Sequence, residues 1–255
     1  MDETWIYLCE DSLEGILTAV YTAFEEKHGH ENNKIQLSEK LFHQELFTTY
    51  ITVQTDFEKA RKVARTMETK VSPTVYEQIQ KCSVSQDTRK ADAIYRFILL
   101  ALKIGPRILN HLTDPHVQLM MELDRHVTNE IRQEIQFLRF EELENGVLFA
   151  RINPKNALLP YLAEHFSDRF SGENWMIADT VHQMVLTHER DKGCSLARVE
   201  DVDFDALSPA VSEQEELWQK LWKSFVDTIA IKERINPALQ RQMLPLRFRK
   251  YMKEL

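Results

Sequence analysis

The stretch 137–188 constrains the fold most, because it predicts two β-hairpins with a short helix between them. In its first half, apolar and polar residues alternate on both sides of Asn145-Gly146, a pair that adopts the positive φ angles of a tight turn at little cost. Two further runs, 175–180 and 184–188, predict a second hairpin that turns near residues 181–183. Alternation of this kind is typical of strands with one buried face. The sequence therefore predicts a small antiparallel sheet.

Helical periodicity dominates the rest of the chain. Over residues 13–24 the apolar positions recur at spacings of three and four, which predicts an amphipathic helix after Asp11 or Ser12. Further helix starts are predicted at Asp56, Ser72-Pro73, Asp87 or Thr88, Asp114-Pro115, and Ser212 with Glu215. The runs 5–9 and 50–55 predict two early strands, whose place in the sheet stays open.

The predicted fold class is α+β, with a small antiparallel sheet of hairpins packed by many helices. We expect a single domain over residues 1–255. The polar stretch 190–212 is the candidate loop boundary, and a helical, basic segment follows it.

Composition and cysteine usage predict a cytoplasmic protein. The chain has 255 residues, of which 43% are hydrophobic and 28% charged, as in ordinary soluble globular proteins. No run approaches 18 uninterrupted apolar residues, and the acidic N-terminal segment is unlike a secretory signal. The three cysteines, Cys9, Cys82 and Cys194, lie far apart, which favours a reducing compartment over a disulfide framework.

Several common catalytic motifs are absent from the sequence. The six glycines form neither of the two common phosphate-binding loops, and there is no nucleophile elbow and no H-E-x-x-H pair. The cysteines lack zinc or iron–sulfur spacing. We therefore expect no cofactor and no metal site, and we do not expect a nucleotide-hydrolysing or dinucleotide-using enzyme of common type.

Charge is distributed unevenly along the chain. The segment 232–255 has seven basic and two acidic residues, a net charge of +5, so that the remainder of this chain of net charge −8 carries −13. An acidic body with a basic tail fits a protein that contacts a polyanion or an acidic partner at one place. A solvated helix end is an equally good interpretation.

Cationic residues are the best candidates for function. Arg139 and Arg151 lie on either side of the Asn145-Gly146 turn, where two guanidinium groups on one sheet face would match phosphate oxygens. Pairing with Glu141 or Glu142 is the alternative. The other predicted nucleic-acid-binding residues are Arg169, Arg234, Arg247, Arg249 and Lys250.

Catalytic residues are predicted only weakly. Asp179 interrupts an apolar strand and needs a partner, either Arg169 or a reacting group. His165 lies one helical turn before Arg169, and His182 is the other histidine candidate.

Two other pairs are interpreted as structural. The spacing of Glu130 and Glu134 favours a solvated helix face. That of Trp218 and Trp222 favours a place in the core.

Short motifs in a fixed order carry a resemblance to a known family. They are Phe137-Leu-Arg-Phe140, Ala150-Arg-Ile-Asn-Pro154, His165-Phe166, Arg169-Phe170, Trp175-x-Ile177-x-Asp179 and Ile231-x-x-Arg234-x-Asn236-Pro237. Together they resemble a bacterial family of unknown function that is grouped with DNA metabolism and repair proteins. The resemblance covers nearly the whole chain. It implies a DNA repair setting, because such domains are sometimes fused to a uracil-DNA glycosylase-like domain and otherwise accompany a radical SAM protein.

The chain departs from the family pattern at two positions. Ile131 stands where the pattern has a histidine after Glu130, and His182 stands where it has an arginine. The resulting hypothesis is a nucleic-acid-associated protein of DNA repair or modification, which binds DNA while a radical SAM or glycosylase partner supplies the chemistry. The alternatives are a stand-alone enzyme acting on a modified base through Asp179, and a protein-binding adaptor without DNA contact.

Overall fold

The chain has an α+β fold, as predicted. The structure is a computed structural model, and it describes residues 4–38, 46–200, 202–204, 206 and 210–252. Its internal contacts divide the chain into two compact units, Met1–Thr128 and Asn129–Leu255. Whether the units fold together as one domain stays a prediction.

The first unit contains a small parallel sheet. Its central strand β1 (Thr4–Cys9) pairs in parallel with β2 (Asn33–Leu37) on one side and with β3 (Thr48–Thr52) on the other. Parallel neighbours need a crossover, which α1 (Leu13–Glu26) provides between β1 and β2. The two predicted early strands thus form a sheet of their own. Strand β2 is not among the predicted strands, because its polar residues obscure the alternation of the buried Ile35 and Leu37.

Helices complete the first unit. They are α2 (Phe57–Thr66), a wider helical turn (Met67–Val71), α3 (Pro73–Ser83), α4 (Lys90–Ile104), a 3-10 turn (Gly105–Asn110) and the first part of α5 (Pro115–Phe137). The predicted caps at Ser12, Asp56 and Ser72 are confirmed, since each side chain accepts hydrogen bonds from backbone N–H groups of the first helical turn. The buried apolar faces of these helices form one core around Ile16, Tyr95 and Ile98.

The second unit contains a five-stranded mixed sheet. Its strands, in spatial order, are β4 (Glu141–Glu142), β5 (Leu148–Ile152), β6 (Trp175–Asp179), β7 (Met184–Glu189) and β8 (Gly193–Arg198). Both predicted hairpins are present, and Gly146 has the positive φ of +76° that its turn requires. Strands β5 and β6 run parallel, joined through α6 (Leu159–Arg169), so the sheet is not purely antiparallel. The first hairpin strand is shorter than predicted because α5 continues to Phe137.

The end of the chain differs most from the prediction. Strand β8 lies inside the stretch 190–212, where residues 201, 205 and 207–209 fall outside the described part of the chain. It escaped prediction because every one of its residues is exposed and only backbone pairing with β7 defines it. Helix α7 (Glu213–Ile229) begins at the predicted Ser212 cap, and Asn236 caps the following α8 (Pro237–Met243).

The apolar stripe of α7 is exposed. Trp218 and Trp222, predicted to be in the core, are 58% and 51% exposed. The prediction was wrong because an amphipathic pattern reports a helix and does not report what covers its apolar face. The last helix, α9 (Leu246–Arg249), has one buried residue, Phe248. In the described residues, no helix has the length and hydropathy that a membrane span requires.

Candidate anion-binding site

The last turns of α5 bury two carboxyl groups. Glu130 and Glu134 are each only 3% exposed, so the prediction of a solvated helix face was wrong. A spacing of one helical turn occurs on both exposed and buried helix faces, so it does not distinguish them. Contacts with residues distant in sequence determine whether the face is buried. The most distant of these partners is Arg247 of α9.

Glu130 holds three segments of the second unit together. Its carboxylate accepts backbone N–H groups of Lys155 at 2.9 Å and Asn156 at 3.1 Å, and it also accepts the Asn156 side-chain amide. Arg247 Nη1 donates to the same carboxylate at 2.5 Å, and Arg247 Nη2 donates to Gln133 Oε1 at 3.3 Å. A buried carboxylate with this many donors is well compensated for its lost hydration.

Glu134 has a different environment from Glu130. Its carboxyl group lies near the carboxylates of Glu130 and Asp179 and near the guanidinium group of Arg247. Burial raises its pKa from 4.5 to about 8, and the neighbouring charges of Glu130 and Asp179 raise it too, while Arg247 acts in the opposite direction. At pH 7 the group is therefore mostly the neutral acid.

Glu134 lines a small cavity together with three arginines. Arg139, Arg151 and Arg247 contribute to the wall, as does Tyr251. The volume is about 10 Å³, which is room for about one water-sized group. The three guanidinium groups come from the loop after α5, from β5 and from α9, so the fold brings distant cations to one point.

Backbone carbonyl groups and aromatic rings position two of these arginines. Arg139 Nη1 donates to the carbonyl oxygens of Gln136 at 3.0 Å and Leu138 at 3.2 Å. Arg151 Nη1 donates to the carbonyl of Phe204 at 3.4 Å, and its guanidinium carbon lies 5.3 Å from the ring centre of Tyr251. Cation–π contacts of this kind help to orient a guanidinium group.

The remaining predicted cations do not line this cavity. Arg169 lies over the ring of Phe170, and Lys250 lies over that of Tyr251. Arg249 donates through Nε to the carbonyl of Leu244. Arg234 belongs to a short 3-10 turn and is exposed. Lys253, which contributes to the predicted basic tail, lies outside the described residues.

Two of the three predicted catalytic candidates, Asp179 and His182, are paired with each other. Asp179 is fully buried, and its carboxylate accepts the N–H groups of Val181 and His182 at 3.0 Å each and contacts His182 Nδ1 at 2.7 Å. This arrangement stabilises the β6–β7 turn. His165 packs against the ring of Phe166, and its Nε2 is buried without a partner among the described residues.

Sequence reasoning missed the two glutamates of the site. No local signal marks Glu134, since its neighbours along α5 suit an exposed helix equally well. A clue for Glu130 lies in the resemblance, whose pattern departs from this chain at the adjacent Ile131. Across the described residues, no group of histidine, cysteine or acidic side chains is arranged to hold a metal ion.

Comparison with known proteins places the site within a family. Residues 88–254 match DUF4130, a domain of unknown function. The chain belongs to this family. Every residue that lines the cavity lies within the matched range. No curated protein matches the chain.

A solved DHH domain, described as belonging to a member of a family of ribosomal proteins, shows a weak likeness. Its TM-score is 0.33 at 11% identity, over 74% of each chain. A likeness at this level carries no argument about fold or function.

Proposed function

We propose that this DUF4130 protein is a nucleic-acid-associated protein of DNA repair or modification that binds DNA phosphates at the arginine-lined cavity. The observation that carries the proposal is the presence of Arg139, Arg151 and Arg247 around one small cavity. Guanidinium groups donate pairs of hydrogen bonds that match phosphate oxygens. Guanidinium groups gathered at one place are typical of phosphate-binding sites.

Aromatic residues beside the cavity support binding of a nucleic acid. The ring of Tyr251 lies next to Arg151, and Phe248 lies next to Arg247, with 4.5 Å between the guanidinium carbon and the ring centre. Partly exposed Tyr251 offers a surface on which a base stacks, whereas a simple inorganic anion needs no such neighbour.

The repair setting and the partners rest on the resemblance alone. The proposed partner is a radical SAM protein or a glycosylase-like protein. That partner supplies the chemistry, and this chain contacts the DNA. Asp179 does not favour the alternative of a stand-alone enzyme, because its carboxylate is occupied by the β6–β7 turn.

Binding of single- and double-stranded oligonucleotides, followed by fluorescence anisotropy over a series of salt concentrations, tests the proposal. We expect affinity to fall steeply with salt, because bound phosphates release counterions. Arg151→Ala should weaken binding about tenfold or more, since a hydrogen bond to a charged group contributes about 1.5–3 kcal/mol. The matched control is Arg61→Ala, which removes the same charge from a side chain that is 78% exposed on α2.

The adaptor alternative is favoured by one observation, the exposed apolar stripe of α7. Absence of DNA binding at low salt, together with stable co-purification of a protein partner, would replace the proposed function with this one. Equal affinities of Arg151→Ala and Arg61→Ala would also contradict the proposal.

A further inference from the structure

A cleft in the first unit lies between the edge of β2 and the starts of α4 and α5. Its volume is about 420 Å³, and small-molecule sites usually have about 300–1,000 Å³. Four apolar side chains form one wall, namely Ile35, Leu37, Ala93 and Leu119, and the first three are almost fully buried. A wall of this composition suits a ligand with a flat aromatic body.

The backbone of β2 contributes polar groups to the same cleft. Strand β2 lies at an edge of the three-stranded sheet, so one row of its backbone groups faces away from β1. The carbonyl of Asn32 accepts the N–H group of Trp5 at 2.9 Å and therefore faces β1. Because the direction alternates from residue to residue, the backbone groups of Asn33, Ile35 and Leu37 face outward.

Two side chains of α4 occupy the first part of this outward row. Arg96 donates to the carbonyl of Asn33, and Asp92 accepts the N–H group of Ile35 at 3.2 Å. An additional peptide strand therefore cannot pair along the whole of β2. The next two groups in the row are the C=O of Ile35 and the N–H of Leu37, and both residues line the cleft. An acceptor and a donor thus lie side by side at its wall.

Basic side chains also line the cleft. They are Lys34 of β2, Arg89 at the start of α4 and His116 at the start of α5. Arg89 donates to Asp87 through Nε at 3.1 Å and through Nη2 at 2.7 Å, which fixes the guanidinium group in place. Basic groups gathered from three elements favour an anionic group on the ligand.

We infer that this cleft binds an adenine nucleotide. The base lies against the apolar wall, its 6-amino group donates to the C=O of Ile35, and the adjacent ring nitrogen accepts the N–H of Leu37. The phosphate lies at the basic side chains. This site is separate from the arginine-lined cavity, whose residues belong to the second unit, and it does not depend on the proposed function.

Calorimetric titration of the full chain with adenosine monophosphate and with inosine monophosphate tests the base end of the site. Inosine has a carbonyl group and a protonated ring nitrogen where adenosine has an amino group and an unprotonated one, so its donor and acceptor are exchanged. We expect adenosine monophosphate to bind about tenfold or more tightly than inosine monophosphate, because the latter leaves both backbone groups unpaired.

Lys34→Ala tests the phosphate end of the site. We expect it to weaken binding of adenosine monophosphate about tenfold and to leave binding of adenosine unchanged, since adenosine has no phosphate. The matched control is Lys103→Ala, which removes an exposed lysine of α4 that does not line the cleft. This control should bind both ligands like the unmodified protein.

Three results would overturn the inference. The first is that adenosine monophosphate does not bind, which leaves the proposed function untouched because that function concerns the second unit. The second is equal affinity for the two nucleotides, which would mean that the edge of β2 does not recognise the base. The third is equal behaviour of Lys34→Ala and Lys103→Ala, which would place the phosphate elsewhere.

Discussion

Glu130 shows how much of this site depends on single residues. Its carboxylate accepts hydrogen bonds from Lys155, Asn156 and Arg247, which lie in two other segments of the second unit. Removing it leaves a partly buried guanidinium group and two backbone donors without their acceptor. We therefore expect Glu130→Ala to lower the free energy of unfolding by about 3 kcal/mol. This value is the lower end of the range for a broken buried ion pair, because the Arg247 side chain is one-quarter exposed.

The control for this prediction is an exposed ion pair. Glu58 on α2 is 78% exposed and lies 3.7 Å from Arg61. Glu58→Ala should change stability by no more than about 0.5 kcal/mol. Denaturant unfolding of both variants measures the difference, and equal losses would mean that Glu130 is not buried as described.

The pKa of Glu134 predicts a pH dependence of stability. Burial, followed by Glu130 and Asp179, raises it from 4.5 to about 8, so between these values the folded protein binds more protons than the unfolded chain. Stability that is complete below about pH 4.5 is therefore lost as pH rises toward 8, with a slope of up to about 1.4 kcal/mol per pH unit from this group. Glu134→Gln should show a flatter profile in denaturant unfolding over this range. An unchanged slope would contradict the raised pKa.

Residue type and local spacing identified part of the site. Arg139, Arg151 and Arg247 were candidates because guanidinium groups near a hairpin and in a basic tail fit phosphate binding. The burial of Glu130 and Glu134 was not predictable, since the same spacing occurs on exposed helices and the contact with Arg247 spans most of the second unit.

At the scale of elements, the first hairpin gives a direct test of backbone strain. Gly146 has φ +76°, and nothing lies within 4 Å of where a side-chain carbon would be placed. Gly146→Ala should therefore cost about 1 kcal/mol through the backbone conformation alone. Gly172, which has neither a positive φ nor a close neighbour, is the matched control, and its alanine variant should be close to neutral. Thermal unfolding distinguishes the two, and a neutral Gly146→Ala would contradict the turn geometry.

Helices α6 and α7 differ in what their apolar residues contribute. Leu162 on α6 is fully buried, and Leu221 on α7 is 50% exposed. We expect Leu162→Ala to destabilise by about 2–5 kcal/mol, because it leaves a cavity and loses buried apolar surface. Leu221→Ala should cost less than about 1 kcal/mol. Denaturant unfolding compares the pair, and similar losses would show that the stripe of α7 is covered in solution.

Elements with local signals were predictable, and those defined by distant pairing were not. The side chains of Ser12, Asp56 and Ser72 cap the helices that follow them, so these residue types indicate helix starts in the sequence. Strand β8 has no such signal, because its exposed residues are ordered by backbone pairing with β7. Strand β2 is similar, since only its parallel pairing with β1 distinguishes Asn33–Leu37 from a loop.

At the scale of the whole molecule, the division into Met1–Thr128 and Asn129–Leu255 falls inside α5. The sequence does not indicate a division within α5, because the apolar positions of this helix continue across it from Val127 to Ile131. A polar stretch such as 190–212 suggests a domain boundary. Contacts between residues distant in sequence, however, determine where a compact unit ends. The cavity and its arginines lie entirely within the second unit.

The central claim is that guanidinium groups from separate segments act on one phosphate. Duplex DNA binding by Arg139→Ala, Arg151→Ala and the double variant, measured over a range of salt, tests it most directly. If both arginines hold the same phosphate, the double variant should lower the slope of log affinity against log salt by no more than about 0.9, because only one phosphate contact is lost. A loss of about 1.8 in the double variant would assign the arginines to separate phosphates, and an unchanged slope would exclude phosphate binding at this cavity.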